Sequence, residues 1–195
     1  RRLFKKIFNH AHSERRVYFA VSDPKPKIRL EPVLIVLRSI WAWLSISILI
    51  IVWLPVMAIT HLFDRSDPGK YRTGRQFRRL GYLMASVNPA WDIRISGNYP
   101  KSMRNPYIVV CNHQSFADIP IVSRLPWDMK WVGKDSLFNI PVLGWMMKVA
   151  RDIPVKRGDR RSRAQVMIDT KERLAQKVSV MIMPEGTRSP DGRVR

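Results

Sequence analysis

Hydrophobic and polar positions change their spacing twice along this chain. Residues 39–60 form a run of 22 without a charged side chain, among them Trp41, Trp43 and Trp53. As one helix the run measures about 33 Å, close to the hydrocarbon thickness of a bilayer. It lies too far from the first residue, and runs too long, to be a secretory signal peptide. Arg38 and His61 bound it, and Pro55 marks a kink or an exit. Residues 70–87 then adopt helical spacing, with Phe77, Leu80, Met84 and Val87 on one face and Arg72, Arg75 and Arg79 opposite. That pattern predicts a basic amphipathic helix, lying on a membrane surface or covering a sheet.

After Asn88 and Pro89, short apolar runs alternate with helical stretches. Residues 91–95, 107–111, 129–132, 153–155 and 178–183 read as strands. Residues 117–125, 137–150 and 160–176 read as helices, the last with Ala164, Met167, Ile168, Leu174 and Ala175 facing inward. Alternation of this kind predicts an α/β domain.

Composition narrows the setting. The 195 residues suffice for one domain with a core plus an appendage. We divide them into a basic N-terminal segment (1–31), a membrane-embedded helix (32–62) and a catalytic domain (63–195). The chain begins at Arg1 rather than Met and stops at Arg195 in a polar turn, so it reads as a fragment. Its formal net charge of +20 steers it toward polyanions: nucleic acid, anionic lipid or phosphorylated substrates. The apolar run favours a membrane over nucleic acid. A single cysteine, Cys111, excludes an internal disulfide and suits a reducing compartment. Arg1, Arg2, Lys5 and Lys6 alternate with Leu3, Phe4, Ile7 and Phe8, compatible with a short interfacial helix or a basic tail. Basic residues flank the apolar run on both sides, so the positive-inside rule does not orient it. A helix that dips into one leaflet and returns would leave both flanks cytoplasmic.

Candidate chemistry follows the strand at 107–111, where Asn112, His113, Gln114 and Ser115 lead to Asp118. Five residues within one helix turn through about 500°, which would separate His113 from Asp118. The two can meet only if the chain turns after His113 and a helix starts near Ser115 or Asp118, with Ser115 suited to the N-cap. An aspartate on one imidazole nitrogen leaves the other free to take a proton from a hydroxyl nucleophile. A capped turn with a structural histidine is the bland alternative. Cys111 beside His113 would suit a cysteine hydrolase, but it falls within an apolar strand with nothing to activate it. His10, His12 and His61 form no ligand spacing with His113, so no metal site is expected.

Asn112, His113, Ser115 and Asp118, in the HX4D pattern, resemble the signature of the glycerolipid acyltransferases, the family that includes 1-acylglycerol-3-phosphate acyltransferases. Pro184, Glu185, Gly186, Thr187, Arg188 and Ser189 resemble a second family motif, again after an apolar run. Between them Gly133, Lys134, Leu137, Phe138, Pro141, Gly144 and Trp145 resemble a third, which Arg157 would complete. The sequence departs from the family in lacking a glutamate before Leu137, and in Arg151 and Lys156. A fourth motif would lie beyond Arg195.

The resemblance implies a mixed sheet flanked by helices and direct acyl transfer. Acyl-CoA or acyl carrier protein would be the co-substrate, with no cofactor. His113 would deprotonate the free hydroxyl of a lysophospholipid, lysophosphatidate giving phosphatidate for phospholipid synthesis, with Asp118 fixing the imidazole. Glu185, Gly186, Thr187 and Arg188, with Arg157 and Lys134, would hold the acceptor's phosphate. Localisation would be at a membrane, with the catalytic part on the cytoplasmic side of a bacterial inner membrane. The competing readings are a different lysolipid acceptor, or a non-catalytic basic protein that binds lipid at the membrane surface.

Overall fold

The computed structural model describes residues 32–87 and 93–187, together with the backbone of two short strands in the N-terminal segment. Those strands, β1 (Lys5–Lys6) and β2 (Tyr18–Phe19), pair antiparallel, so Lys5 and Lys6 are not in the interfacial helix with which the pattern was compatible. The first long element is α1 (Pro32–Phe63), which runs unbroken through Pro55. Its 32 residues measure about 48 Å. The turn at 64–70 folds α2 (Tyr71–Ser86) back along α1, where the Trp53 indole N–H donates to Gln76 O at 2.9 Å. Leu80, Phe77 and Met84 of α2 pack with Met57, Trp53, Leu54 and Leu49 of α1, and with Met146 and Val149. The chain thus reverses at 64–70, and the apolar run itself contains no turn. The first ten residues of α1 are all exposed, while Met57 is fully buried, so one helix is free at its start and embedded in the domain near its end.

No side chain caps α2 at Lys70, whose φ is +48°. The preceding turn supplies the caps instead. Asp64 accepts from the Thr73 N–H and hydroxyl at 2.9 Å each, and Asp67 accepts from Gly69 N and Tyr71 N. Orphan N–H groups of the first turn thus find carboxylates, which the helix dipole also favours.

The remaining elements are β3 (Ile108–Val110), α3 (Asp118–Val122), β4 (Met129–Lys134), a 3-10 turn (Asp135–Asn139), α4 (Leu143–Val149), β5 (Ile153–Val155), α5 (Arg160–Ala175) and β6 (Ser179–Ile182). The α/β class is as expected. Among the described residues all four strands of the main sheet are parallel, in the order β3-β6-β4-β5, rather than mixed. Each successive strand is reached through a helical crossover that returns the chain to the same end. α2 packs on α3 and α4, while α5 packs on β5 and β6. The core between helices and sheet holds Val109, Cys111, Val122, Leu125, Trp127, Met129, Trp131 and Met181.

Three expectations need correction. Residues 93–95 are not in a strand, and residues 91 and 92 lie outside the described residues. The helix expected over 137–150 is divided at Pro141 and Val142. Leu143 N donates to Pro141 O at 2.7 Å, with Val142 at φ +66°, a three-residue γ-turn that no helix contains. In α5, Ala164, Met167, Ile168 and Ala175 face outward, Leu174 is half-buried, and the buried positions are Thr170 and Arg173. The reason is that Arg173 donates to Arg151 O and pairs with Glu172, so polar partners set which side turns inward.

One set of buried charges ties α2 to the sheet. Arg78 of α2 lies 2.5 Å from Asp152 and 3.9 Å from Asp128, and Lys130 lies 2.5 Å from Asp128. Burial pushes the Asp128 carboxyl up, against the pull of Lys130 and Arg78. Gly74 makes this approach possible, since a methyl there would fall within 2.5 Å of Lys130 Nζ and closer still to Asp128 Oδ2.

Candidate active site

A parallel sheet places every strand's carboxyl end on one edge, where ligands bind in open α/β folds. Beyond β3 the chain turns as predicted, and α3 begins at Asp118 itself. The buried Asp118 carboxylate folds back over the turn. Its Oδ2 accepts from Gln114 N at 2.7 Å and Ser115 N at 2.9 Å, and lies 3.2 Å from His113 Nδ1. Two backbone donors fix the carboxylate, and the carboxylate fixes the ring. With Nδ1 carrying the proton toward Asp118, Nε2 is left as the basic nitrogen. The His113 side chain is 13% exposed, open enough for a hydroxyl to reach it.

Ser115 does not cap the helix. Ala117 is the N-cap residue, without a side-chain bond, and the Ser115 hydroxyl accepts from Ala117 N at 3.2 Å within the preceding turn. Asn112 is half-buried, and Cys111 Sγ donates to its carbonyl at 3.2 Å. Cys111 is itself buried among the core side chains, as an apolar strand position implies. Phe116 is exposed between His113 and Asp118, and the sequence reading had given it no part.

β6 lies beside β3, with Val110 opposite Ile182, so the loop after β6 neighbours the His113 loop. Glu185 is half-buried there, Thr187 is exposed, and Gly186 N donates to Met183 O at 3.0 Å. Gly186 has φ +62° with open space where a side chain would stand, so its backbone is accessible to a ligand. Arg188 lies outside the described residues. Lys134, exposed, ends β4, and Arg157, exposed, follows β5 by two residues. The edge therefore carries His113, Glu185 to Thr187, Lys134 and Arg157 in strand order, over three spacings or about 14 Å. Gly144, by contrast, serves packing, since a side chain there would fall onto Phe138 O. Among the described residues no His, Cys, Asp and Glu cluster could hold a metal.

A family model described as Acyltransferase matches residues 92–195. A chloroplast 1-acyl-sn-glycerol-3-phosphate acyltransferase of Arabidopsis thaliana is 36% identical over 182 residues, covering 89% of this chain and 48% of that protein. A 1-acyl-sn-glycerol-3-phosphate acyltransferase of Chlamydomonas reinhardtii is 33% identical, over 87% of this chain and 50% of that one. The chain thus spans about half the length of the curated relatives it matches. The crystal structure of the 1-acyl-sn-glycerophosphate acyltransferase of Thermotoga maritima shares the fold, with a TM-score of 0.66 and 24% identity over 84% of this chain and 65% of that one. With its histidine and aspartate joined at the carboxyl end of β3, and with the match over residues 92–195, this chain belongs to the acyltransferase family.

Proposed function

We propose that the protein transfers an acyl group from a thioester donor, acyl-CoA or acyl carrier protein, to the free hydroxyl of 1-acylglycerol-3-phosphate, giving phosphatidate. The observation that carries this is the His113 Nδ1 to Asp118 Oδ2 contact at the sheet's carboxyl edge. Nε2 of His113 takes the hydroxyl proton as the oxygen attacks the thioester carbonyl. The tetrahedral intermediate collapses with cleavage of the C–S bond, and the imidazolium returns its proton to the departing thiolate. Asp118 stabilises the imidazolium meanwhile. No acyl-enzyme is formed, and no cofactor is required.

The acceptor's phosphate is assigned to the loop after β6, where Gly186 admits close backbone approach and Thr187 is exposed. Lys134 and Arg157 supply charge from the neighbouring strand ends, and Arg188 supplies a planar fork from the same motif. Glu185 orients this loop. The helix α1 is long and apolar enough to cross a membrane, which supports work at a bilayer surface; in this proposal the catalytic edge lies on the cytoplasmic side.

The test is thiol release from acyl-CoA or acyl carrier protein by detergent-solubilised protein given lysophosphatidate. Release should vanish in His113→Ala, while Arg188→Ala should raise the acceptor KM. Release that survives His113→Ala would remove the general-base assignment.

A further inference from the structure

Phe116 belongs to the His113 loop, yet the reaction scheme above gives it no use. Its side chain is 68% exposed in the turn between His113 and Asp118. The turn itself is held from beneath, by the bonds of Gln114 N and Ser115 N to Asp118. A lone exposed phenylalanine signifies little, since scattered apolar side chains are normal on protein surfaces. Its place in the fold gives it meaning.

α2 starts beside the amino ends of the strands. The Tyr71 hydroxyl donates to Met103 O, ahead of β3, at 3.3 Å, and Lys130 Nζ, near the start of β4, donates to Lys70 O at 3.1 Å. Arg78 reaches Asp152, directly ahead of β5. Further along, a side chain at Gly81 would meet Ser123 Oγ and approach Pro120, in the first turn of α3. Since α3 leaves the carboxyl edge, α2 runs from the amino edge toward the carboxyl edge. α1 lies antiparallel to it, with Trp53 against Gln76. The first ten residues of α1, all exposed, therefore project past Ser86 on the His113 side of the molecule.

α3 and α4 both pack on α2, so the loops leading into them share the face of the sheet on which α1 lies. One loop carries Phe116. The other carries Ile140, exposed between β4 and α4. Lys134, Lys156, Arg157, Arg160 and Arg161 are exposed beside them, at the ends of β4 and β5 and the start of α5. Asp135 and Glu185 oppose this charge, while Asp159 is engaged in capping α5 through Arg161 N and Ser162 N.

We infer that this edge docks on the leaflet that receives the free half of α1, with Phe116 and Ile140 set into the boundary between headgroups and acyl chains. The basic side chains then lie against anionic headgroups. The inference rests on the acyl-transfer reading and deepens it. Held in this way, His113 meets the acceptor hydroxyl at headgroup depth, and neither acceptor nor product leaves the leaflet.

The experiment reads depth at position 116. Cys111 is buried, so Phe116→Cys takes a fluorescent thiol label at one place. Lys171→Cys, exposed in the half of α5 farther from the edge, is the control. Both are placed in bilayer nanodiscs of phosphatidylcholine and phosphatidylglycerol. The label at 116 should be quenched by spin-labelled lipid and shielded from aqueous iodide, and the label at 171 the reverse. A label at 116 open to iodide would overturn the docking. So would one shielded from both quenchers, which would put protein there in place of lipid. Kinetics give a second reading. Phe116→Ser should raise the apparent KM for long-chain lysophosphatidate in the bilayer about tenfold, with Phe116→Leu near normal. A short-chain, freely dissolved lysophosphatidate should be indifferent to both, and an equal loss on the two acceptors would remove the anchoring role. Lipid quenching at 116 without any thiol release removes the acyl-transfer reading and leaves the docking. Release with position 116 open to iodide removes the docking alone.

Discussion

One oxygen of Asp118 gathers three nitrogens of its own loop. Oδ2 receives Gln114 N, Ser115 N and the imidazole Nδ1; an amide oxygen can take these contacts but brings no negative charge to stabilise the imidazolium. Asp118→Asn should lower the rate of thiol release by about 10^2- to 10^4-fold with the protein still folded. A near-normal rate would reduce Asp118 to a loop clamp. A second residue-scale expectation concerns Lys177, whose φ of +57° strains an L side chain. Lys177→Gly should stabilise the fold by about 1 kcal/mol in chemical denaturation. The pairing of His113 with Asp118 was legible in the sequence, because their spacing demands a turn. The two backbone donors that hold Asp118 were not, since no residue identity encodes an N–H. Ser115 was misread for a related reason: a hydroxyl near a helix start serves the turn before it as readily as the helix.

At the scale of elements, α2 is the piece on which the domain closes, with an apolar side toward α1 and a charged side toward the sheet. Gly74→Ala would push a methyl into the buried Asp128 and Lys130 pair. The expected cost is about 1–3 kcal/mol from overpacking, toward the upper end because the displaced atoms are charged. A thermal melt within error of the unmutated protein would show that α2 can shift freely. The start of α2 also predicts an acid response. Burial alone would raise Asp67, but Arg104 and the N–H groups of Tyr71 and Gly69 outweigh it and hold the carboxyl below its ordinary range. A depressed carboxylate stabilises above its unfolded pKa of about 3.9 and loses that contribution as pH falls through the lower folded value. Asp67→Asn should therefore flatten the fall in stability below about pH 4. Four of the five expected strands formed, residues 93–95 being the exception, whereas the orientation of α5 was not legible. Periodicity selects the apolar Met167 and Ile168, but the inward side is the one carrying Arg173, whose partner Arg151 O comes within reach only after folding.

For the whole molecule, a charge of +20 and the apolar α1 offer two routes to a membrane, and salt separates them. Flotation with anionic vesicles should persist at about 1 M salt, where screening acts within about 3 Å, because burial of apolar surface does not depend on ionic strength. Release of the protein under those conditions would assign attachment to the arginines and lysines instead. The alternation of strands and helices was enough to give the α/β class. It could not show that the second half of α1 packs into the domain, since a run without charges reads alike in lipid and in a protein core.

The burial of Met57 against Leu80 and Met146 carries a practical consequence for anyone preparing the protein. A boundary drawn after residue 62 looks natural on hydropathy, yet trimming there would strip Trp53, Leu54 and Met57 from α2 and leave an open apolar seam. Solubility is better sought by polar replacement of the outward residues in the first half of the helix, such as Leu34, Ile40 and Trp43, with its second half retained as a domain element.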